Sequence, residues 1–493
     1  MGRRMDGGWP SAALAALLAA GCTPGLPRPG GMPATAAAPN QRWTPPSAAV
    51  TSPAPSAPPL DAVPSNLQQR IRQLTLSDVV DLALRNSPTT RESWATARAA
   101  AATYGSANGA YYPTIDLTGN VTRLKTVASQ GRSAVEQTVY GPSVSLSYLL
   151  FDFGGRGGVA EGARQALYAA DWTHNAQIAN VVLQTQQAYY LYIAQRTLLT
   201  AQQTTVDEAN ANLAATEERR RAGLATIADV LQARTAASQA LLAYETTEGA
   251  RETARGALAL SLGLPATLPY DVDSTAAEVS VSVLADSVQP LIERAIAERP
   301  ELASARASFL QSRAAVRQAH ALRLPSLALS ANGGRTYLPS LPNGGNSYTV
   351  TLGLTVPIFS GFAREYDQAA AEARADAAGA RVESLQQTVI FQVFSAYSSL
   401  QTATRRVRTA DDLLASATQS VDAARARYKE GIGSILDLLA AQVALADARA
   451  QRIDARLTWN TSLAQLAHDA GLLDERGRTS LRLTPDSTMA PSR

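Results

Sequence analysis

Between Ser143 and Leu150 polar and apolar residues take turns: Val144, Leu146, Tyr148 and Leu150 alternate with Ser143, Ser145 and Ser147. The same beat runs from Tyr348 to Ile358, where Val350, Leu352, Leu354 and Val356 alternate with Thr349, Thr351, Gly353 and Thr355. Ile115, Leu117 and Val121 stand against Asp116, Thr118 and Asn120, and Leu327 and Leu329 repeat the pattern more weakly. A period of two sends each set to its own face of a strand. Segments of about ten residues with one apolar and one polar face suit strands that cross a membrane inside a barrel. A half-buried sheet in water carries the same alternation, but the surroundings favour the barrel. The tips at 128–133 (ASQGRS) and 342–347 (PNGGNS) are small and polar. Tyr111, Tyr112, Phe151, Phe153, Phe359 and Phe362 sit at the strand ends, where an interfacial aromatic belt lies.

The pattern then changes. Alanine-rich, heptad-like sequence fills the interval from Gly155 to Ala222 (222 − 155 = 67 positions). As one helix this is about 100 Å long at 1.5 Å per residue, which suits a coiled coil or a tunnel wall rather than a compact domain. No stretch holds 18 unbroken apolar residues. A membrane crossing must therefore use strands closed into a barrel.

The two patterns occur twice. Pro88 and Pro113 match Pro300 and Pro325 at an offset of 212 (300 − 88; 325 − 113). Phe151, Arg156, Tyr189, Gly223, Asp229 and Gly263 match Phe359, Arg364, Tyr397, Gly431, Asp437 and Gly471 at 208 (359 − 151; 471 − 263). The offset changes once, between Pro113 and Phe151, so that segment contains a length-tolerant surface loop, while the rest keeps register as long paired helices require. Each half reads helix, strand, loop, strand, long helix, turn, helix. Four strands per chain cannot close a barrel, since single-chain membrane barrels use at least about eight. Open edges are not tolerated in lipid. The barrel is expected to be shared between chains.

Composition narrows the rest. Of 493 residues 17% are charged, against about 25% in ordinary soluble proteins. The net charge of +3 comes without a basic face or segment, so no nucleic-acid partner is expected. The single cysteine, Cys22, ends the run Ala19-Ala20-Gly21-Cys22 after Arg3, Arg4 and a short apolar stretch. That is a secretory layout and resembles a lipobox, in which the cysteine takes the lipid; the usual leucine is displaced to Leu18. Residues 1–21 are expected to be a lipoprotein signal peptide and 22–73 a lipidated Pro/Ala-rich tether with no core of its own. Residues 74–287 and 288–473 form the first and second repeats, and 474–493 a loose polar tail.

Gly223 and Gly431 close long helices, where left-handed geometry suits glycine. Thr226 to Asp229 and Ser434 to Asp437 have capping-box spacing and start the next helix. Arg219, Arg220 and Arg221 suit the negative end of a helix dipole. The chemistry of an enzyme is missing: His174, His320 and His468 lie in separate helical segments without metal-ligand spacing. The glycine-rich run from Phe151 (FDFGGRGG) lacks the Lys-Ser/Thr of a phosphate loop and reads as a strand-to-helix bend. No catalytic residue, metal or cofactor is expected.

The turns GLATIAD (223–229) and GIGSILD (431–437), with the duplicated FDFGGR (151–156) and FSGFAR (359–364), resemble the TolC-like outer-membrane efflux family, in its lipid-anchored OprM-like branch. The resemblance covers residues 74–473. It implies an α+β membrane protein: a homotrimeric, twelve-stranded β-barrel continued by a twelve-helix periplasmic α-barrel. It implies a passive efflux channel in the outer membrane, lipid-anchored at Cys22, with outer-membrane lipid around it. A periplasmic adaptor (membrane fusion) protein and an inner-membrane pump are the implied partners. The hairpin tips at Gly223, Thr226, Gly431 and Ser434 would dock the adaptor. Tyr428 would bond Asp229 on the neighbouring hairpin and latch the tunnel, and three copies of Asp437 would form an acidic ring at the constriction. Gly433 and Ala440 stand where the family's type member has a latch arginine and a second acidic residue, which simplifies both devices. Two other readings stay open: a type I protein-secretion duct of the same fold, and a periplasmic coiled-coil scaffold or adaptor. The second predicts soluble β-domains and no full-length duplication.

Overall fold

The computed structural model describes residues 38–43, 73–125, 136–267, 270–273, 282–284, 287–338, 341–473 and 483–485. The expected signal peptide and Cys22 lie outside the described residues. The first repeat runs α1 (Leu76–Asn86), α2 (Pro88–Gly109), β1 (Thr114–Lys125), β2 (Glu136–Phe151), α3 (Gly155–Arg221) and α4 (Ile227–Ser261). A short β3 (Ser282–Leu284) intervenes. The second repeat runs α5 (Val288–Glu298), α6 (Pro300–Ala321), β4 (Ser326–Leu338), β5 (Leu341–Thr355), α7 (Ala363–Lys429) and α8 (Ile435–Asp469), and β6 (Leu483–Pro485) follows.

The four long strands make one antiparallel sheet in the order β1-β2-β4-β5. Thr114 pairs with Ser147 in the first hairpin, and Ser326 with Thr355 in the second. These pairs differ by 212 on one strand (326 − 114) and 208 on the other (355 − 147). The four-residue change therefore falls in the hairpin connection, which is longer between Lys125 and Glu136 than between Leu338 and Leu341. The repeats meet through β2 and β4, where Ser147 faces Ser330 and Val144 faces Gly333. This leaves β1 and β5 as open edges. The apolar face is bare: Leu117 is 76% exposed and Leu354 66%. Such a face is a liability in water and the contact surface in lipid.

Strand turns into helix at a tight bend. Phe153 and Gly154, and again Gly361 and Phe362, have positive φ. The Asp152 carboxylate accepts from the Arg156 backbone N–H at 2.6 Å, and Arg156 reaches back to the carbonyls of Ala110 and Leu150. Each rod then runs 67 residues, α3 and α7 alike, about 100 Å. The far half of each rod pairs with a 35-residue return helix, α4 or α8. The near half of α3 packs on α2 and α6, and α7 on α6. Small residues hold the hairpins together: Val206, Ala209, Ala237 and Ala240 in the first, Ala417, Val421, Ala441, Leu445 and Ala448 in the second.

The largest core lies midway along the rods, where α1, α5 and the 270–273 segment pack with α3, α4, α7 and α8. Tyr189, Trp459, Leu258 and Leu400 are buried there. Leu74 bridges to Val272, and the Tyr189 hydroxyl donates to the Asp273 carbonyl at 2.7 Å.

Two segments depart from the expected tether and tail. Residues 38–43 lie on the rod: Trp43 is buried against Tyr168 and Trp172. A large aromatic gains more by burial than the tether loses in freedom. Leu483–Pro485, expected as loose tail, pairs with Ser282–Leu284 as a short antiparallel ladder.

Candidate gate at the hairpin turns

The far ends of the two hairpins are built alike. Gly223 and Gly431 both take φ of +76°. Leu224 N–H donates to the Arg219 carbonyl at 2.7 Å and Gly223 N–H to the Arg220 carbonyl at 2.9 Å. In the second turn Ile432 donates to Arg427 at 3.0 Å and Gly431 to Tyr428 at 3.2 Å. This is a Schellman closure, and the next helix starts at once. The Asp229 carboxylate accepts from the Thr226 N–H at 2.7 Å and hydroxyl at 2.8 Å, and Thr226 accepts from the Asp229 N–H at 3.2 Å. Ser434 and Asp437 repeat the exchange at 3.3 and 3.1 Å. Leu224 and Ile432 stand on the outer tips, 70% and 72% exposed.

Asp229 and Tyr428 are not hydrogen-bonded to each other in the protomer. The Asp229 carboxylate is engaged by the cap, while Tyr428 meets Arg219. That guanidinium sits 4.7 Å from the centre of the Tyr428 ring. Its Nη1 donates to the Tyr428 carbonyl at 3.2 Å and to the Lys429 carbonyl at 3.5 Å. Arg219 thus leaves its own helix and caps the carbonyl end of α7, tying hairpin α3/α4 to hairpin α7/α8. Sequence reasoning placed Arg219 only at its own helix dipole; three consecutive arginines do not reveal that one crosses over. Asp437 is exposed on the first turn of α8.

A second tie lies higher on the same seam. Arg449 of α8 donates from two nitrogens to both Glu208 oxygens of α3, at 3.2 and 3.1 Å. The pair is half-buried, and its bidentate form fixes the approach of the helices. Arg234 with Glu217 at 3.0 Å and Arg452 with Asp411 at 2.6 Å brace each hairpin internally.

A buried polar cluster lies on the strand-proximal part of α3. The Asn175 side chain accepts from the Trp43 N–H at 2.7 Å and donates to the Trp43 carbonyl at 2.8 Å, as a neighbouring strand would. His174 lies 3.0 Å from the Gln41 carbonyl and 2.9 Å from the Ser93 hydroxyl. Burial holds its pKa below the usual histidine value, so the ring is neutral and Nε2 donates to Gln41. Arg42 donates to the Leu473 carbonyl, joining the strap to the end of the second repeat. Asp171, one turn earlier, is fully buried, and neither carboxylate oxygen has a hydrogen-bond partner among the described residues. Burial pushes its pKa up to about 8. A lone tryptophan in a Pro/Ala-rich stretch was the one sequence signal for this cluster.

Among the described residues no group of His, Cys, Asp and Glu is arranged to hold a metal, and no helix is long and apolar enough to cross a membrane.

Comparison with known proteins agrees with the duplication. The outer membrane efflux protein family model matches residues 79–264 and again 291–472. Protein CyaE of Bordetella pertussis is 28% identical over 417 residues, covering 84% of this chain and 86% of its own. Outer membrane protein OprJ of Pseudomonas aeruginosa is 28% identical over 380 residues, covering 74% and 78%. Among solved structures, a membrane protein from Pseudomonas aeruginosa superposes with a TM-score of 0.72 at 25% identity, covering 80% of this chain and 93% of that one. The outer membrane protein VceC of Vibrio cholerae has the same fold, with a TM-score of 0.72 at 19% identity over 80% of this chain and 96% of that one.

Proposed function

Because the chain belongs to the outer membrane efflux protein family, we infer that its gate is worked by parting the two helical hairpins of each protomer. The chain is an outer-membrane efflux channel subunit of the trimeric, TolC-like fold, with most of its mass in the periplasm. The observation that carries this reading is the unclosed four-stranded sheet set on paired 67-residue rods. Its apolar face needs lipid and its edges need strands from sister copies. Three protomers supply twelve strands and twelve long helices (four and four each).

Conduction through such a duct is passive, and energy comes from elsewhere. An inner-membrane pump and a periplasmic adaptor are the partners this architecture serves. The adaptor would grip the hairpin ends, where Leu224 and Ile432 offer apolar knobs beside the Thr226 and Ser434 caps. Closure would rest on Arg219 holding Tyr428 and Lys429, backed by Glu208 and Arg449. Asp437, exposed at the tip, would give a threefold acidic ring that attracts cations.

Lipid attachment at Cys22 fits the clamp on Trp43. Gln41 is held at His174, and His174 lies 19 residues (174 − 155) along α3 from the strand junction, about 28 Å. The 19 residues between Cys22 and Gln41 (41 − 22) span up to about 60 Å extended, enough to reach the membrane.

Reconstitution tests the function. Detergent-extracted protein should run as a heat-modifiable trimer, open pores in planar bilayers, and restore export in a cell lacking its own channel. A monomer that stays soluble without detergent contradicts the reading.

A further inference from the structure

The contacts between the two repeats inside one chain can be carried over to the contacts between chains. A ring of six similar units, two per subunit, repeats each junction: first repeat to second within a chain, second repeat to first across the boundary. The offsets convert one into the other, adding 208 to a residue of β2 or α3 and subtracting 212 from one of β4 or α6. For helix α8 the subtraction is 208. This rests on the trimeric duct described above.

In the sheet, Ser147 faces Ser330, Ser145 faces Asn332, and Ser143 faces Gly334. Carried over, the same pairing would set Thr355 opposite Thr118 of the partner subunit, Gly353 opposite Asn120 of the partner subunit, and Thr351 opposite Thr122 of the partner subunit. The alternation checks this independently. Leu352 would then stand beside Val121 of the partner subunit, on the apolar face that Val144, Leu117 and Leu354 already share. A one-residue slip would set Leu352 beside Thr122 of the partner subunit and break the lipid-facing surface.

In the helices, Thr173 of α3 and Ser304 of α6 meet hydroxyl to hydroxyl at 3.0 Å. The positions carried over are Arg381 (173 + 208) on α7 and Glu92 (304 − 212) on α2. Both side chains are exposed and neither forms an ion pair among the described residues. They are of opposite charge. Further along, Arg449 and His468 of α8 bind Glu208 and Asn180 of α3. The carried-over positions on α4 are Leu241 and Leu260 (449 − 208; 468 − 208), which are 47% and 80% exposed. Those on α7 are Ser416 and Thr388 (208 + 208; 180 + 208). Phe391, 69% exposed, shares the helical stripe of Thr388.

We propose that β5 of one subunit joins β1 of the next with Thr355 opposite Thr118, and that α7 seats on α2 and α4 of that neighbour with Arg381 facing Glu92. The boundary between subunits thus carries a charge pair at Arg381 and Glu92, with exposed Leu241, Leu260 and Phe391 further along.

Cysteine crosslinking in outer-membrane vesicles tests the register. Thr118→Cys combined with Thr355→Cys should give covalent dimers and trimers on oxidation. Thr122→Cys with Thr355→Cys, four residues out of step, should not, and each single variant controls for Cys22. If native gels show trimers but the first pair fails to link, or the second links better, the register is refuted while the duct stands. If no trimer forms even for the parent protein, the duct reading itself fails. For the helical contact, Glu92→Arg should lower the temperature at which the trimer dissociates, and adding Arg381→Glu should restore it. A double variant no more stable than the singles overturns that pairing.

Discussion

Replacing Arg219 by Gln removes the tie at the turns, leaving Glu208–Arg449 higher on the seam, without disturbing either turn, because its own carbonyl, which closes the Schellman turn, is backbone. Arg219 contributes one bond at 3.2 Å, a longer one at 3.5 Å and a ring contact at 4.7 Å. A hydrogen bond from a charged donor is worth about 1.5–3 kcal/mol when buried, and this half-exposed site reduces that to about 1 kcal/mol. The ring contact adds about 0.5–1 kcal/mol. The sum is about 2 kcal/mol per subunit, or roughly 30-fold in the ratio of closed to open for each hairpin pair. Three subunits opening together would multiply the effect. Single-channel recording of Arg219→Gln should show open probability raised at least about tenfold. Arg219→Lys should fall between, since an ammonium neither stacks nor forks. Tyr428→Phe should leave the gate nearly intact, because the ring and carbonyl remain. The reasoning fails if Arg219→Gln conducts like the parent while Tyr428→Phe or Asp229→Ala leaks. That outcome would restore the latch implied by family resemblance, a Tyr428 hydroxyl held by Asp229.

Asn175→Ala should free the strap, stranding the Trp43 N–H and carbonyl in a buried site; the loss is about 2 kcal/mol, read as a lower melting temperature and new protease cleavage near residue 43. Asp171 gives a pH signature. Its folded-state pKa of about 8 lies above the ordinary 3.8, so the folded protein keeps a proton that the unfolded chain releases. Stability is therefore fullest below about pH 4, falls as pH rises towards 8, and then levels, with a ceiling of about 6 kcal/mol. Asp171→Asn should flatten that slope in melting curves, and an unchanged slope would clear Asp171 of responsibility. Asp437→Ala should weaken block by divalent or trivalent cations; equal block in variant and parent would remove Asp437 from the lumen.

Much of this was legible because it is local or periodic. The alternation of Val144 and Leu146 fixed a strand, the Thr226 and Ser434 caps fixed helix starts, and a single jump in offset found the hairpin connection. What escaped depends on contacts between distant positions. Nothing around Arg219 announces a partner 209 residues away. Asp171 reads as an ordinary helix-surface acid, because its burial comes from segments distant in sequence that pack on α3. The pairing of Ser282–Leu284 with Leu483–Pro485 joins two three-residue stretches, too short for any period to register. Trp43 carried the one usable hint, an aromatic with no local reason to be there.

Equal rods, 67 and 67 residues with returns of 35 and 35, bring both turns of every subunit to the same depth. An insertion in one rod alone would leave a ragged mouth and push one turn past its fellows. Lengthening must therefore come in matched sets of four: both rods and both returns together. It must also come in steps of about seven residues, two turns, to keep each stripe facing its neighbour. The length of the helical duct is in this sense quantised, at roughly 10 Å per step.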